Sequence, residues 1–349
     1  MALGDRSSRI DHSEVPRYCL AWIKLPGTRM FNSPLHAIGY TPQFSGHETF
    51  PMRYGWLKKA YDAVAVAHRR GALQSVFNEP SAIADFGVGK NMVAAIRHWA
   101  TQCGVISQGG KGSLSAPTAL GNKIFADDGL DPYMEHPSTS WLVHWQLASN
   151  SKLTTWFWVF SHFPSSSFDR ENIVSALEKL GADRSWSRMA NATLKRDVEC
   201  FVRTYAAKHS LIKQSPEDSM ESPLTELSLL KATGKKDGFR LIRGPKNSLG
   251  DGVFAYAVSS FWDSYSKSSS TISFEALAHH PGSPGKVFLL TEEDLADRLS
   301  RLEAITKSTI TWSETAGLKQ LVRSRRILAD EALAFIDIDY IKNGHEENR

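Results

Sequence analysis

Cysteine is scarce in this chain of 349 residues, which contains only Cys19, Cys103 and Cys200. The three are far apart and show no C-x-x-C spacing. This excludes the patterns of a disulfide framework or a zinc ribbon, and it indicates a reducing compartment. Cys103 falls on the apolar face of a helical pattern, which predicts a core position rather than a reactive thiol.

Long hydrophobic runs are also missing. No apolar stretch approaches the roughly 18–20 residues that span a bilayer. The segment Met1–Arg9 carries charges with no hydrophobic stretch after them, unlike a secretory signal peptide. We therefore expect a soluble protein of the cytoplasm.

Two common motifs of reactive sites are absent, the GxxxxGK[ST] phosphate loop and the HExxH zinc motif. The segment Phe86-Gly87-Val88-Gly89-Lys90 resembles a phosphate loop only superficially, and we interpret it as a turn that leads into a helix. No nucleotide or organic cofactor is predicted.

The chain as a whole has no large excess of one charge, since its net charge is +4. Basic residues are instead concentrated locally. Between Arg53 and Lys123 there are nine basic and three acidic residues, a net charge of +6. Local rather than global charge therefore favours a nucleic-acid surface in this stretch.

Changes in composition divide the chain into segments. We predict a flexible N-terminal arm at 1–43, a first folded domain at 44–138, a helical domain at 139–213, a linker at 214–223, a C-terminal domain at 224–335 and a tail at 336–349. The linker, QSPEDSMESP, is polar and contains two prolines.

Hydrophobic periodicity predicts a mainly α protein with small β-hairpins. In the first domain, helices at 55–71, 76–86 and 90–103 precede a glycine-rich turn at 109–112 with Lys111 in it, and a further helix follows at 118–125. This is the order of a winged helix-turn-helix. A helix–turn–helix pattern at 274–305, followed by the alternating Ile310 and Trp312, predicts a second winged-helix-like module. A basic run at 319–326 is assigned to the last long helix.

The helix at 90–103 has the chemistry of a recognition helix. Val93, Ile96 and Ala100 recur at the spacing of an inner face, so the opposite face is small, polar and basic. Arginine and lysine contact guanine or phosphate, and asparagine contacts adenine. The residues expected to contact DNA are Arg53, Lys58, Lys59, Lys90, Asn91, Arg97, His98, Lys111, Arg243 and Lys246. A solvated helix face in a protein-docking module, and a solvated turn at Arg243–Lys246, are the alternatives.

Two groups are candidates for phosphodiester cleavage. Asp127, Asp128 and Asp131 form an acidic cluster of the kind that holds Mg²⁺ or Mn²⁺. His47 and Glu48 pair a candidate general base with a carboxylate. An exposed acidic loop in the first case, and helix capping in the second, explain the same residues without catalysis.

Several segments resemble a family formerly of unknown function. They begin with Gly46-His47-Glu48-Thr49-Phe50-Pro51-Met52-Arg53-Tyr54-Gly55-Trp56-Leu57 and include Gly87-Val88-Gly89-Lys90-Asn91, Trp141-Leu142-Val143-His144-Trp145, Thr155-Trp156-Phe157-Trp158 and Pro281-Gly282-Ser283-Pro284-Gly285. These segments, distributed over residues 44–320, are similar to the SspB family of the Ssp DNA phosphorothioation system.

The resemblance implies a protein that nicks DNA while sulfur is placed in one strand, a modification that supports defence against phage. It also implies a cysteine desulfurase, an ATPase and an ATP pyrophosphatase as partners, with double-stranded DNA as the substrate. Two alternatives are a non-catalytic DNA-binding scaffold of the sulfur-transfer complex and a transcriptional regulator. The resemblance assigns no catalytic residue.

Overall fold

The computed structural model describes residues 33–72, 74–108, 114–187, 189–206, 222–234, 237–315 and 317–341. Across these residues the chain is mainly helical and contains two antiparallel sheets of three strands each. The expected class, mainly α with small β elements, is therefore confirmed. In the part of the chain that is described, no helix has the length and apolar character needed to span a membrane.

Three helices open the fold: α1 (Trp56–Arg69), α2 (Ala82–Phe86) and α3 (Lys90–Gln102). The first and third have nearly the predicted bounds. The second begins six residues later than predicted, because Pro80 has no backbone N–H for helical pairing and disfavours a helical conformation at the residue before it.

The predicted wing after α3 is only partly described. The flanking residues Ile106 and Pro117 form one isolated antiparallel bridge, and the turn that contains Lys111 lies outside the described residues. α4 (Ala119–Phe125) follows the bridge. Its first turn is capped by Thr118, whose side chain accepts the Gly121 N–H.

The centre of the hydrophobic core is formed by α5 (Pro137–Ala148) and α6 (Thr154–His162), which confirms two buried helices on either side of Asn150. Trp141, Trp145 and Trp156 are at most 2% exposed. His144 is fully buried among them. Its ring nitrogens bond the Tyr205 hydroxyl and the Val287 carbonyl oxygen, each at 2.9 Å, so the polar ring is satisfied.

The two sheets have the same topology. In each, one strand precedes the helices and pairs with the second strand of a later hairpin, giving the orders β1-β3-β2 and β4-β6-β5. The first unit comprises β1 (Ser167–Asp169), α7 (Arg170–Asp183), α8 (Asn191–Tyr205), β2 (Leu230–Ala232) and β3 (Gly238–Leu241).

After α9 (Asp251–Ser266), the second unit comprises β4 (Thr271–Ser273), α10 (Phe274–His279), α11 (Pro284–Val287), α12 (Glu292–Ile305), β5 (Ile310–Thr315) and β6 (Leu318–Arg323). The basic run at 319–326 therefore begins on a strand, and its assignment to a helix is wrong. Arg323 is buried, with its guanidinium 4.6 Å from the Trp262 ring centroid and 3.2 Å from Asp263 Oδ1.

At both ends of the described chain, residues that were predicted to form a flexible arm and a tail pack against the rest of the protein. Leu35, in the predicted flexible arm, is 1% exposed, and the Tyr40 hydroxyl is 2.8 Å from Thr154 Oγ1. After α13 (Ala329–Ala334), the start of the predicted tail forms α14 (Asp337–Ile341). Asp339 in α14 accepts the backbone N–H groups of Gly252 and Val253 at the start of α9, each at 2.8 Å. The N–H groups of the first turn of a helix have no partner within that helix, so a buried carboxylate there fixes the C-terminal segment.

The first sheet contains strands from both sides of the predicted linker at 214–223. β1, which precedes the linker, pairs with β3, which follows it, with Phe168 opposite Phe239. The domain boundaries themselves stay a prediction.

Candidate nucleic-acid interface

A turn of three residues, Gly87-Val88-Gly89, connects α2 to α3. Gly87 adopts φ +64°, a left-handed conformation suited to glycine, and it ends α2 by donating its N–H to Ala84 O. Gly89 begins α3 by accepting the Val93 N–H at 3.1 Å. The segment that resembles a phosphate loop is thus the turn that leads into α3, as interpreted.

The outer face of α3 has the predicted composition over its first two turns. Lys90, Asn91 and Ala94 are exposed and Arg97 is half-buried, whereas Val93, Ile96 and Ala100 are at most 3% exposed. The first turn contains no acidic residue, so the partial positive charge of the helix N-terminus adds to that of Lys90. This face can meet both phosphates and base edges.

His98 does not belong to this face, contrary to expectation. It is 8% exposed and packs edge-on against Trp99 and His47, at ring-centroid distances of 5.3 and 6.0 Å. Burial, with a smaller contribution from His47, lowers the pKa of His98 to about 3. The ring is therefore neutral near pH 7 and cannot act as a cationic phosphate contact.

Two more of the expected DNA contacts are buried. Arg53 is 7% exposed, with its guanidinium 5.9 and 5.6 Å from the ring centroids of Phe50 and Trp56. Lys58 is also 7% exposed and forms ion pairs with Asp62 and Asp127, at 2.7 and 2.6 Å. Both side chains therefore pack beside α1 and do not contribute to an open basic surface. Their burial was not predictable from the charge count.

Lys59 is exposed, and its Nζ lies 3.3 Å from Phe86 O, so it reaches from α1 to the end of α2. It borders the turn that leads into α3 and remains a candidate DNA contact.

A second basic site lies after β3. Arg243 is exposed and donates from Nη1 to Leu290 O at 2.7 Å. Lys246 is 7% exposed and donates from Nζ to Ile242 O at 2.9 Å. Burial, with repulsion from Arg243, lowers the pKa of Lys246 to about 8 although Asp294 acts in the opposite direction.

The structure does not bring the three candidate aspartates into one metal centre. Asp127 is exposed, and its hydrogen bond with Lys58 lowers the pKa of its carboxyl. Asp128 is exposed. Asp131 is 6% exposed, and its carboxylate accepts the backbone N–H groups of Glu135 and His136, at 2.9 and 3.0 Å. Asp131 thus organises the loop before α5.

No group of three or more His, Cys, Asp or Glu side chains suited to a metal ion occurs among the described residues. Asp127, Asp128 and Asp131 therefore do not fit the predicted magnesium or manganese site.

His47 and Glu48 diverge instead of forming a catalytic pair. Glu48 is exposed, whereas His47 is 3% exposed. Nδ1 of His47 accepts the Thr49 N–H at 3.0 Å, so Nε2 carries the proton that is donated to Asp197 Oδ1 at 2.8 Å. The other oxygen of Asp197 accepts the Thr155 hydroxyl. This network fixes the segment before α1 to α6 and α8.

Sequence reasoning missed Asp197, which is 150 positions from His47, because no local motif relates residues so far apart. It also missed Lys286, on α11. The Gly244 N–H donates to Leu289 O at 3.0 Å, so the basic site after β3 packs against the chain that follows α11. Burial, with a smaller contribution from Arg243, lowers the pKa of Lys286. The PGSPG segment directly before Lys286 was the available signal.

The fold is that of a mainly helical protein with two strand–helix–hairpin units, in which α3 has a polar and basic outer face. The chain belongs to the family described as "Protein of unknown function (DUF4007)", whose model matches residues 44–340, and this is the SspB family.

Solved structures of SspB are similar to the chain. One, described as magnesium ion-bound SspB, has 26% sequence identity and a TM-score of 0.75, with 91% of this chain and 93% of that chain covered. Another SspB crystal structure has 27% identity and a TM-score of 0.75, with 88% and 91% covered. No curated protein matches.

Proposed function

We propose that this protein binds double-stranded DNA through α3 and nicks one strand during phosphorothioate modification in an anti-phage defence system. The observation that supports the DNA contact is the outer face of α3, where Lys90, Asn91 and Ala94 are exposed and Arg97 is half-buried. In this proposal the segment from α1 to the Ile106–Pro117 bridge is a winged helix-turn-helix, and Lys111 extends from its wing.

The two strand–helix–hairpin units support the same architecture. In both units the first strand lies beside the second strand of the hairpin, and on this shared sheet order we propose that both units are winged-helix-like. In the second unit, the exposed face of α12 has the opposite charge to that of α3. The exposed residues of α12 include Glu292, Glu293, Asp297 and Glu303, which repel a DNA backbone. We therefore assign DNA contact to α3 and protein contact to α12.

The proposal of nicking rests on membership of the SspB family and on the sequence resemblance. One similar structure is described as magnesium-bound, and on that ground we propose that nicking requires Mg²⁺ or Mn²⁺, although Asp127, Asp128 and Asp131 do not together form a site for the ion. Of the predicted catalytic residues, Glu48, Asp127 and Asp128 are exposed, whereas His47 and Asp131 are occupied by internal hydrogen bonds.

We further propose that a cysteine desulfurase, an ATPase and an ATP pyrophosphatase of the same system are the partners, in the cytoplasm. Co-purification of tagged protein with these subunits, compared with an α12 variant in which Glu292 and Glu293 are replaced by Lys, tests this proposal. If wild type and the α12 variant recover the partners equally, α12 is not the docking surface.

A supercoiled-plasmid assay tests the nicking activity. Wild-type protein is incubated with Mg²⁺, Mn²⁺ or EDTA and is compared with two double variants, Lys90→Ala/Arg97→Ala and Asp127→Asn/Asp128→Asn. We expect open-circle product with metal and none with EDTA. The α3 variant should lose both binding and nicking. The aspartate variant should still bind DNA, so its nicking activity tests the predicted catalytic role of Asp127 and Asp128 by itself.

Each result of this assay has a separate meaning. Nicking that survives in the aspartate variant would remove Asp127 and Asp128 from the catalytic site without affecting the enzyme assignment. Tight DNA binding by pure wild-type protein without nicking under either metal would overturn the enzyme assignment.

The second candidate function is a non-catalytic DNA-binding scaffold that presents DNA to the sulfur-transfer subunits. The specific observation in its favour is that the described residues contain no convergent group of metal ligands. Nicking by wild type that is lost in a variant with intact DNA binding would exclude it.

A further inference from the structure

A cavity of about 350 Å³ opens between α9, α13 and the start of α4. Its volume is near the lower end of the range of small-molecule sites, which is roughly 300 to 1,000 Å³. None of the residues that line the cavity belongs to the outer face of α3. The cavity is therefore separate from the surface that is proposed to contact DNA.

The cavity exists because two helices face each other through small side chains. α9 contributes Ser259 and Ser260 to the lining, and α13 contributes Ala329 and Ala332. Ser259 Oγ donates to Ala255 O in its own helix at 2.9 Å, so this hydroxyl proton is satisfied internally. The larger apolar side chains in the lining are Leu120, Ile327 and Leu333. Most of the lining therefore offers van der Waals contact to a ligand.

One polar pair interrupts this apolar lining. Gln146 of α5 and Tyr256 of α9 both line the cavity, and Gln146 Nε2 lies 2.9 Å from the Tyr256 hydroxyl oxygen. A Cβ atom at Gly104 would lie 3.5 Å from both Gln146 Oε1 and Leu120 Cδ2, so the glutamine amide borders the same wall as Leu120. The two polar groups thus lie side by side next to apolar contact surface.

This pair keeps hydrogen-bonding capacity for a ligand. Among the described residues, neither side chain has a second hydrogen-bond partner. At least one donor and one acceptor stay free whichever way the Gln146 amide is turned, because the bond within the pair uses one of each. Burial raises the pKa of the Tyr256 hydroxyl, although Gln146 acts in the opposite direction, so the hydroxyl keeps its proton near pH 7.

The charges in the lining favour an uncharged ligand. Its two charged residues are both acidic, Asp263 and Asp330. Asp263 is paired with Arg323 and Arg326, at 3.2 and 2.6 Å, and Asp330 is exposed to solvent. Since no cation lines the cavity, an anionic ligand would find no partner for its charge there.

We propose that this cavity binds an uncharged planar heterocycle of the nucleobase class, supplied either by a base turned out of DNA or by a free nucleoside. The edge of a nucleobase carries neighbouring donors and acceptors, which match the free donor and acceptor of Gln146 and Tyr256. Sites for such bases combine hydrogen bonds to this edge with apolar contact to the ring faces. Where the base comes from DNA, the inference rests on the proposed function.

Two variants of the lining and one control provide the test. Tyr256→Phe removes the hydroxyl and keeps the ring, and Ser260→Leu fills the space. Tyr265→Phe is the matched control, because it makes the same change at an exposed tyrosine of α9 that does not line the cavity. Without ligand, Ser260→Leu should melt at the same temperature as wild type or higher, since the added side chain occupies existing space.

In the first arm, each of the four common deoxynucleosides is titrated into full-length protein by calorimetry. We expect at least one to bind wild type and Tyr265→Phe equally, and to bind Tyr256→Phe and Ser260→Leu at least tenfold more weakly. The corresponding monophosphate should bind no more tightly than the nucleoside. Equal affinity in all four proteins, or a monophosphate that binds wild type more than tenfold more tightly, would overturn the proposal.

In the second arm, a duplex with 2-aminopurine in a mismatched pair reports, by increased fluorescence, a base that leaves the stack. An increase with wild type and Tyr265→Phe, but not with Tyr256→Phe or Ser260→Leu, identifies DNA as the source of the base. Nucleoside binding without any fluorescence change identifies a free compound.

The two arms also separate this inference from the proposed function. If wild type binds nucleosides but not duplex DNA, the proposed DNA function fails and the cavity assignment stands. If wild type binds the duplex but gives neither nucleoside binding nor a fluorescence change, the cavity assignment fails and the DNA contact through α3 is unaffected.

Discussion

Asp197 is a residue whose role depends entirely on partners that are distant in the sequence. Its carboxylate accepts hydrogen bonds from His47 and Thr155, and it is 2% exposed. In Asp197→Ala two buried donors lose their acceptor, and each unpaired buried polar group costs about 1–3 kcal/mol. We expect the free energy of unfolding, measured with urea, to fall by about 3 kcal/mol.

The matched control for this prediction is Asp128→Ala. Asp128 is exposed and lies in the loop before α5, so its replacement should change the free energy of unfolding by less than about 0.5 kcal/mol. Equal small losses in both variants would mean that the His47–Asp197 network contributes little to stability.

The errors about single residues have a common physical origin. A periodicity of 3.6 residues fixes the centre of a buried helix face but not its edges, where a neighbouring segment decides the exposure. His98 is such an edge position, and it is covered by the segment around Gly46, where an added Cβ would lie 2.5 Å from His98 Nδ1. Lys58 was placed outside for its charge, but its ion pairs with Asp62 and Asp127 allow it to be buried.

The charge of a helix face decides which of two similarly placed helices can bind DNA. We expect Lys90→Ala/Arg97→Ala to weaken duplex binding and to reduce the salt slope by roughly one unit per lost phosphate contact. Glu292→Ala/Glu293→Ala in α12 should leave both quantities unchanged. Fluorescence anisotropy over a salt series measures the two effects. A slope reduced only by the α12 variant would show that the proposal assigns DNA contact to the wrong helix.

The hairpin of β2 and β3 contains two like charges in a cross-strand pair, which destabilises it. Lys231 and Arg240 lie directly opposite each other, and both are exposed. Like charges in this position destabilise a sheet, whereas opposite charges stabilise it by roughly 0.2–1 kcal/mol. Arg240→Glu should therefore raise the free energy of unfolding by about 0.5 kcal/mol.

A double-mutant cycle checks the cause of that gain. Adding Lys231→Glu to Arg240→Glu restores a like-charge pair, so the double variant should lose the stabilisation. A double variant as stable as Arg240→Glu alone would show that the cross-strand pair is not responsible.

The elements that were predictable are those with strong local signals. α1, α3 and the capping box at Thr291–Asp294 that begins α12 follow from apolar spacing, flanking glycines and capping side chains. β1 and β4 have three residues each, too few for an alternating pattern to emerge. Their pairing with β3 and β6 depends on contacts across many residues, so the sheet order required the structure.

Three histidines, two of them buried and one half-buried, connect parts of the molecule that are distant in the sequence. His98 of α3 contacts His47 in the segment before α1, and His144 joins α5 to Tyr205 and Val287. His162, at the end of α6, is 2.8 Å from Ser33 Oγ near the start of the described chain. Burial lowers the pKa of His144 to about 4 and those of His98 and His162 to about 3. A neutral imidazole is therefore part of the folded state at each junction.

These shifts predict that acid weakens the fold below neutral pH. The unfolded chain binds protons at its histidines near pH 6.5 while the folded protein does not until about pH 3–4, so stability is full above pH 6.5 and falls as the pH drops below it. At pH 5 each histidine accounts for a loss of up to roughly 2 kcal/mol. Urea unfolding at pH 7, 6 and 5 should show this decline, and His98→Phe should reduce the difference between pH 7 and pH 5 by about 2 kcal/mol. Replacing the exposed His68 by Ala should leave the difference unchanged. If both variants decline as steeply as wild type, the acid sensitivity of the protein arises elsewhere than at His98.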